Sequence, residues 1–277
     1  MRSLIVMTLV AAAATSASAQ DGPRAVGSDE YFEAGAGAFA RPRYPGSRHF
    51  NIGPRPTFGG IADIEPTDRL GGGVREGLRY NLSPNPERWG IGPAARIDFG
   101  RRRSDADRYT PGLGKVGIGV ELGGFGQLAI GEHLVARVEG RQAVSGHEGF
   151  IADAVVEGTW RYNDRTALVV GPRLRYTDGR YNRAYFGVTP AQSLASAGRF
   201  ATFTPGAGIS EVGGGATLYF PIAERWSGSV NADYGRLIGP VADSPVVLDR
   251  DGSRDQWSGG VTLTYRFRRG GSRSGER

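Results

Sequence analysis

The chain has 277 residues, 45 of them glycine and none cysteine, with a net charge of +6 and a mean hydropathy of −0.33. No stretch beyond the first twenty residues approaches the roughly eighteen apolar residues of a membrane helix, which excludes a helical bundle in the bilayer, and a disulfide-stapled fold is excluded too. The charge is almost all arginine, with Lys115 the only lysine, and it is spread along the chain, which excludes a nucleic-acid-binding face.

Residues 1–20, MRSLIVMTLVAAAATSASAQ, carry Arg2, an apolar run from Leu4 to Ala14 and the small residues Ala17-Ser18-Ala19. That three-part pattern predicts a secretory signal peptide over 1–19, because its apolar core is too short to span a bilayer. Residues 20–30 read as a periplasmic N-terminal segment. From residue 31 onward the pattern is alternation, which suits strands because successive side chains point to opposite faces.

In chain order, IGPAARIDF sets Ile91, Ala95, Ile97 and Phe99 against Arg96 and Asp98. VGIGVELGGFGQLAI keeps Val116, Ile118, Val120, Leu122, Leu128 and Ile130 in one phase. LVARVEGRQAV opposes Leu134, Ala136, Val138 and Val144 to Arg137, Glu139 and Arg141. AVVEGTWRY opposes Val156, Trp160 and Tyr162 to Glu157, Thr159 and Arg161, and LVVGPRLRY opposes Leu168, Val170, Leu174 and Tyr176 to Arg173 and Arg175. WSGSVNADYG and WSGGVTLTYRF, from Trp226 and Trp257, continue the pattern to Phe267.

Alternation alone admits a soluble sandwich or a membrane barrel, since both have one polar face. Two features separate them. Segments of about ten residues with charges on the polar face are the pattern of transmembrane β-barrels. Aromatic residues also stand at segment ends, Trp89, Trp226 and Trp257 at starts and Trp160 and Phe267 near finishes, where the water–lipid interfaces lie.

Connections alternate between short (83–88, 131–133, 163–166, 223–225) and long (100–113, 177–205, 239–256), as periplasmic turns and outer loops do. The long loop at 100–113 holds Arg101-Arg102-Arg103, a run suited to lipopolysaccharide or phospholipid headgroups. In RLGGGVREGLRYNL a single strand turns Glu76 toward lipid; a hairpin at Arg75-Glu76-Gly77 puts the acid in a turn and gives an even strand number. The expectation is an all-β, transmembrane, antiparallel up-and-down β-barrel of the outer membrane over 31–267, with about 12 strands and 10 as the alternative. Residues 268–277, RRGGSRSGER, have nothing apolar to bury and read as a disordered tail.

Three stretches, RAYFGVTPAQSLASAGRFATFTPGAG (183–208), YGRLIGPVADSPVV (234–247) and the closing VTLTYRF, resemble the MipA/OmpV family of Gram-negative outer-membrane barrels, as does RPRYPGSRHF near the start. The most specific parts are Tyr185-Phe186-Gly187-Val188 and Asp243-Ser244-Pro245. The family name records interaction with the murein transglycosylase MltA. The resemblance implies an outer-membrane protein that contacts lipid and lipopolysaccharide and acts as a scaffold for peptidoglycan-remodelling enzymes, with a murein transglycosylase and a peptidoglycan synthase as partners. The ten residues after Phe267 depart from the usual aromatic ending of such barrels.

The YFGV stretch, with Tyr181, either presents a binding surface or plugs the barrel mouth; plugging is preferred, because loop aromatics more often pack than bind. The DSP stretch carries the same two readings. Lumen-facing Arg55, Arg75, Arg79, Arg96, Arg137, Arg141, Arg161, Arg173 and Arg175 outnumber Asp98, Glu121, Glu139, Glu157 and Asp233. They make either a narrow channel for anions or small solutes, or cross-strand arginine–carboxylate ladders that fill the bore. Catalysis is not expected. Of His49, His133 and His147, only His147 has a serine close by, Ser145, and no orienting acid is legible beside it. No phosphate loop, cofactor motif or metal-ligand spacing is present.

Overall fold

A computed structural model describes residues 31–58, 70–73, 77–85, 88–163 and 165–268. The signal peptide, the N-terminal segment, Arg75, Glu76 and the tail from residue 269 lie outside them.

Twelve antiparallel strands form one sheet: β1 Tyr31–Pro42, β2 Phe50–Phe58, β3 Leu70–Gly73, β4 Gly77–Tyr80, β5 Trp89–Asp98, β6 Gly119–Ile130, β7 Leu134–Ala143, β8 Phe150–Asn163, β9 Thr166–Thr177, β10 Gly208–Pro221, β11 Trp226–Leu237 and β12 Asp255–Arg268. From β3 to β12 every strand pairs with its neighbours in sequence, and β1 joins β12 in register from Tyr31↔Arg268 to Ala40↔Gly259. β2 and β3, the two ends of the hydrogen-bonded order, lie against each other and complete the ring. β2 holds Pro54 and Pro56, opposite Ala38 and Ala36 of β1. Proline cannot donate to a ladder, so it belongs on the strand whose second edge has no hydrogen-bonded partner among the described residues.

The burial pattern is inverted relative to a soluble domain. On β7, Val138 is 59% exposed while Glu139 and Arg141 are 5% and 2% exposed. Apolar side chains on the outside and charges on the inside decide between sandwich and barrel. The strand-parity argument holds in that β3 and β4 are separate, paired strands and the count is twelve; the expected turn residues Arg75 and Glu76 lie outside the described residues, and Gly77, whose φ is +89°, opens β4 opposite Gly73. A Cβ at Gly77 would lie 2.7 Å from the Ala95 carbonyl oxygen, so this position takes glycine for both reasons.

Two expectations need correcting. The predicted strand beginning at Val116 starts at Gly119; Val116 bridges to Arg101 and is buried in the loops instead of facing lipid. The long loops also contain helices: α1 Arg103–Tyr109, α2 Gly179–Phe186, α3 Pro190–Ala195 and α4 Pro245–Leu248. Three of the four start on a local signal, and α1 has no side-chain cap. Asp178, Thr189 and Ser244 cap α2, α3 and α4 through side-chain oxygens, and proline follows the cap of α3 and α4.

Candidate functional site

The barrel's lumen and the outer loops that close it form one continuous polar and aromatic interior. Its centre is Arg141 on β7. Its Nε donates to Glu121 of β6 at 2.8 Å, one terminal nitrogen to Glu139 of β7, and the other to Asp153 of β8 at 2.7 Å. Asp153 also accepts from Arg175 of β9 at 2.7 Å, and Glu139 from Arg79 of β4 at 3.3 Å. Arg173 pairs with Glu211 at 2.8 Å and Arg137 with Glu157 at 3.1 Å. A guanidinium presents its donors in a planar fork, which lets one arginine satisfy three carboxylates from three strands.

The remaining lumen residues fall differently. Arg161 is exposed at the short-turn end of β8. Arg96 makes no hydrogen bond or ion pair among the described residues, and it lines both lumenal cavities, of about 210 and 160 Å³. Arg55 lies on β2, in the register opposite Gly37.

Above the lumen, loops 43–49, 99–118, 178–207 and 238–254 fold over the mouth as a cap. Tyr181, Tyr185 and Phe186 of α2 pack with Val116, Ile151, Leu237, Val241 and Val247. Val188 packs with Tyr44, Leu113, Phe200 and Val246 in a second cluster. The two sequence motifs meet here, 58 residues apart: the Ser244 hydroxyl donates to the Phe186 carbonyl at 2.6 Å. Gly187 lets the chain leave α2 closely, since a Cβ there would stand 2.6 Å from the Arg183 carbonyl oxygen. Pro245 opens α4, and Asp243 lies at the surface, paired with Arg254 at 2.7 Å. The expectation that the 101–103 run faces headgroups fails for Arg101, which is buried and donates to the carbonyls of Gly114 and Tyr185 at 3.1 and 3.2 Å. Arg102 and Arg103 are exposed.

Beneath the cap the fold assembles a trio that spacing did not reveal. Asp98 of β5, Glu121 of β6 and His147 of the 144–149 loop bring three potential ligand atoms within 4.8 Å of one another. The acid absent from the sequence reading is thus supplied twice over. Ser145 does not join it, because its hydroxyl stitches the loop to β6 through Ile118 and Val120. Nor does the trio suit a metal. The Gly149 N–H donates to His147 Nδ1 at 3.1 Å, placing the ring proton on Nε2, which faces Glu121 at 3.2 Å. A metal-binding histidine instead donates through its second nitrogen. Glu121 is further occupied by Arg141, and Asp98 accepts the Tyr185 hydroxyl. Burial, then the adjacent Asp98, push the Tyr185 hydroxyl far above its ordinary range, so it remains a donor.

At the cap's surface Arg199 holds Asp249 at 2.5 Å and Asp251 at 2.6 Å, while Asp251 also contacts His49 at 2.7 Å. His49 stacks on Tyr109 of α1 with centroids 4.1 Å apart. Burial raises the Asp249 carboxyl, but the hydrogen bonds from Arg199 outweigh it and hold it below its ordinary value; His49 and Arg199 do the same for Asp251. A carboxylate with a lowered folded value stabilises above its unfolded value and loses that contribution as the pH falls through the folded one. The cap is therefore expected to resist pepsin at about pH 4 and to be cut within 190–251 as the pH is lowered toward about 2. Cleavage that is scored against the denatured chain and stays flat across that range would refute this.

On the outer surface Trp89, Trp160, Trp226 and Phe267 are exposed toward the short-turn end, and Trp257 toward the cap. Tyr265 joins Trp226 and Phe267, with ring centroids 4.9 and 4.7 Å apart, and Trp257 lies 4.6 Å from Tyr234.

The family model described as MltA-interacting protein MipA matches residues 34–267. The outer membrane protein OmpV of Vibrio cholerae serotype O1 is 26% identical over 171 residues, covering 59% of this chain and 60% of that protein, so the match spans about three-fifths of the relative's length. Among solved structures, an outer membrane channel from Pseudomonas putida F1 has a TM-score of 0.44 at 12% identity, over 90% of this chain and all of the other. The NanC porin has a TM-score of 0.39 at 9% identity, over 85% and 98%.

Proposed function

Because the chain belongs to the MltA-interacting protein MipA family, whose model its residues 34–267 match, we propose that it is a closed, non-enzymatic platform for peptidoglycan-remodelling enzymes. It is a β-barrel of the Gram-negative outer membrane. The observation that carries the closed reading is the buried network around Arg141, which holds carboxylates of the neighbouring strands β6, β7 and β8 and is joined from β4 by Arg79 through Glu139. Ser145, His147, Glu121 and Asp98, the groups closest to a catalytic set, are likewise engaged in internal hydrogen bonds.

A partner in the periplasm meets the short-turn end. Arg165 there donates to the carbonyls of Ala223 and Trp226 at 2.6 and 3.0 Å, tying two turns into one face. Pull-down of the folded, detergent-solubilised protein from envelope extract is expected to enrich murein transglycosylases or peptidoglycan synthases. A preparation free of both would overturn the platform reading. A second reading, a narrow anion channel, is favoured by the unpaired Arg96; it predicts anion-selective steps in planar bilayers, where the closed platform gives none.

A further inference from the structure

The cavity of about 160 Å³ beneath the cap has an excess of donors that internal pairing does not absorb. Arg41, Arg43, Arg96, Arg173 and Arg175 line it against only three carboxylates, Asp98, Glu121 and Glu211. Arg43 spends one nitrogen on Asp105 at 2.8 Å and Arg173 one on Glu211, yet the Nε of each is buried without a partner. Arg41 lies over the Phe99 ring at 4.9 Å and, like Arg96, makes no hydrogen bond or ion pair among the described residues. Glu121 already accepts from Arg141 and His147, and Asp98 from Tyr185 and the Gly100 N–H, and neither carboxylate makes a hydrogen bond or ion pair with Arg41 or Arg96.

Buried donors are almost always satisfied, and unpaired guanidinium groups in a confined space are costly. The chemistry that answers this arrangement is an oxyanion, which accepts several charge-assisted hydrogen bonds at once. We propose that this chamber binds a small phosphate- or carboxylate-bearing solute on Arg41, Arg96 and Arg173. Its volume suits one small anion and not a chain of sugars. Arg96, Arg173 and Arg175 also line the neighbouring cavity of about 210 Å³, which offers room for the remainder of the solute. The site goes beyond the platform reading and stands or falls separately, because its residues are at the cap end and a periplasmic partner is not.

The test uses the full folded chain in detergent, with pyrophosphate and citrate as probes at constant ionic strength against chloride. The readout is the temperature at which the folded gel band converts to the unfolded one. Saturable stabilisation by pyrophosphate alone assigns a phosphate group, by citrate alone a carboxylate, and by both an oxyanion in general. Arg96→Gln and Arg41→Gln are each expected to weaken the response at least about tenfold while leaving the folded band. Arg103→Gln, at an exposed position in α1, should respond as the parent does. If Arg96→Gln fails to fold, Arg41→Gln carries the comparison. Probes that stabilise no more than chloride, or foldable chamber variants that respond as the parent does, would overturn the proposal.

Discussion

Replacing Arg141 with leucine is expected to lower the unfolding free energy by about 3–5 kcal/mol, the cost of removing one partner from a buried ionic network. The size of the effect follows from what is left behind. Glu121, Glu139 and Asp153 each lose a guanidinium contact at once, in a part of the bore where Arg141 is almost wholly buried. Each keeps another hold: Glu121 on His147, Glu139 on Arg79 at 3.3 Å, and Asp153 on Arg175 through two hydrogen bonds at 2.7 and 3.2 Å. That residual pairing is why the barrel should still assemble. Urea titration of the folded gel band measures the loss, and Glu121→Gln placed in the Arg141→Leu background should recover part of it by removing a stranded charge. A midpoint unchanged by Arg141→Leu would mean that the lattice holds nothing together.

The wall of this barrel was legible in the sequence because its code has a period of two. Val138 outward and Glu139 inward are neighbours whose assignment needs no knowledge of any other strand. Even the short β3–β4 hairpin followed from one acid, Glu76, that lipid would not accept. The interior was not legible in the same way. Which carboxylates meet Arg141 depends on the register of β6, β7 and β8, and local alternation says nothing about register. The Asp98–Glu121–His147 trio needs two strands and a loop to be placed first. The cap was hidden for a further reason, that its contacts join segments such as Phe186 and Ser244 that share no periodicity. One signal was available: Thr189-Pro190-Ala191-Gln192 is a capping box with proline at the first helical position, and it does begin α3.

Phe186→Ala should destabilise the cap by about 3–5 kcal/mol and leave the barrel wall intact, because a large buried ring is lost from a cluster made wholly of loops and strand ends. Phe186 is at the junction of both motifs, with its ring in the cluster around Val241 and Val247 and its carbonyl held by Ser244. Protease should then cut within 178–207 while the urea midpoint of the barrel stays at the parental value. Equal loss of cap and barrel would show that the two unfold as one unit. The same variant separates the two ways in which the pore is closed. With the cap loosened, the bore is still narrowed by the buried Arg141 network and by Arg79, which reaches from β4 to Glu139 on β7, so no conductance is expected from Phe186→Ala alone. Steps that appear in Phe186→Ala would make the cap the gate and the lattice a lining that ions pass. Steps that need Arg141→Leu as well would make the ion-pair network on β6, β7 and β8 the inner barrier.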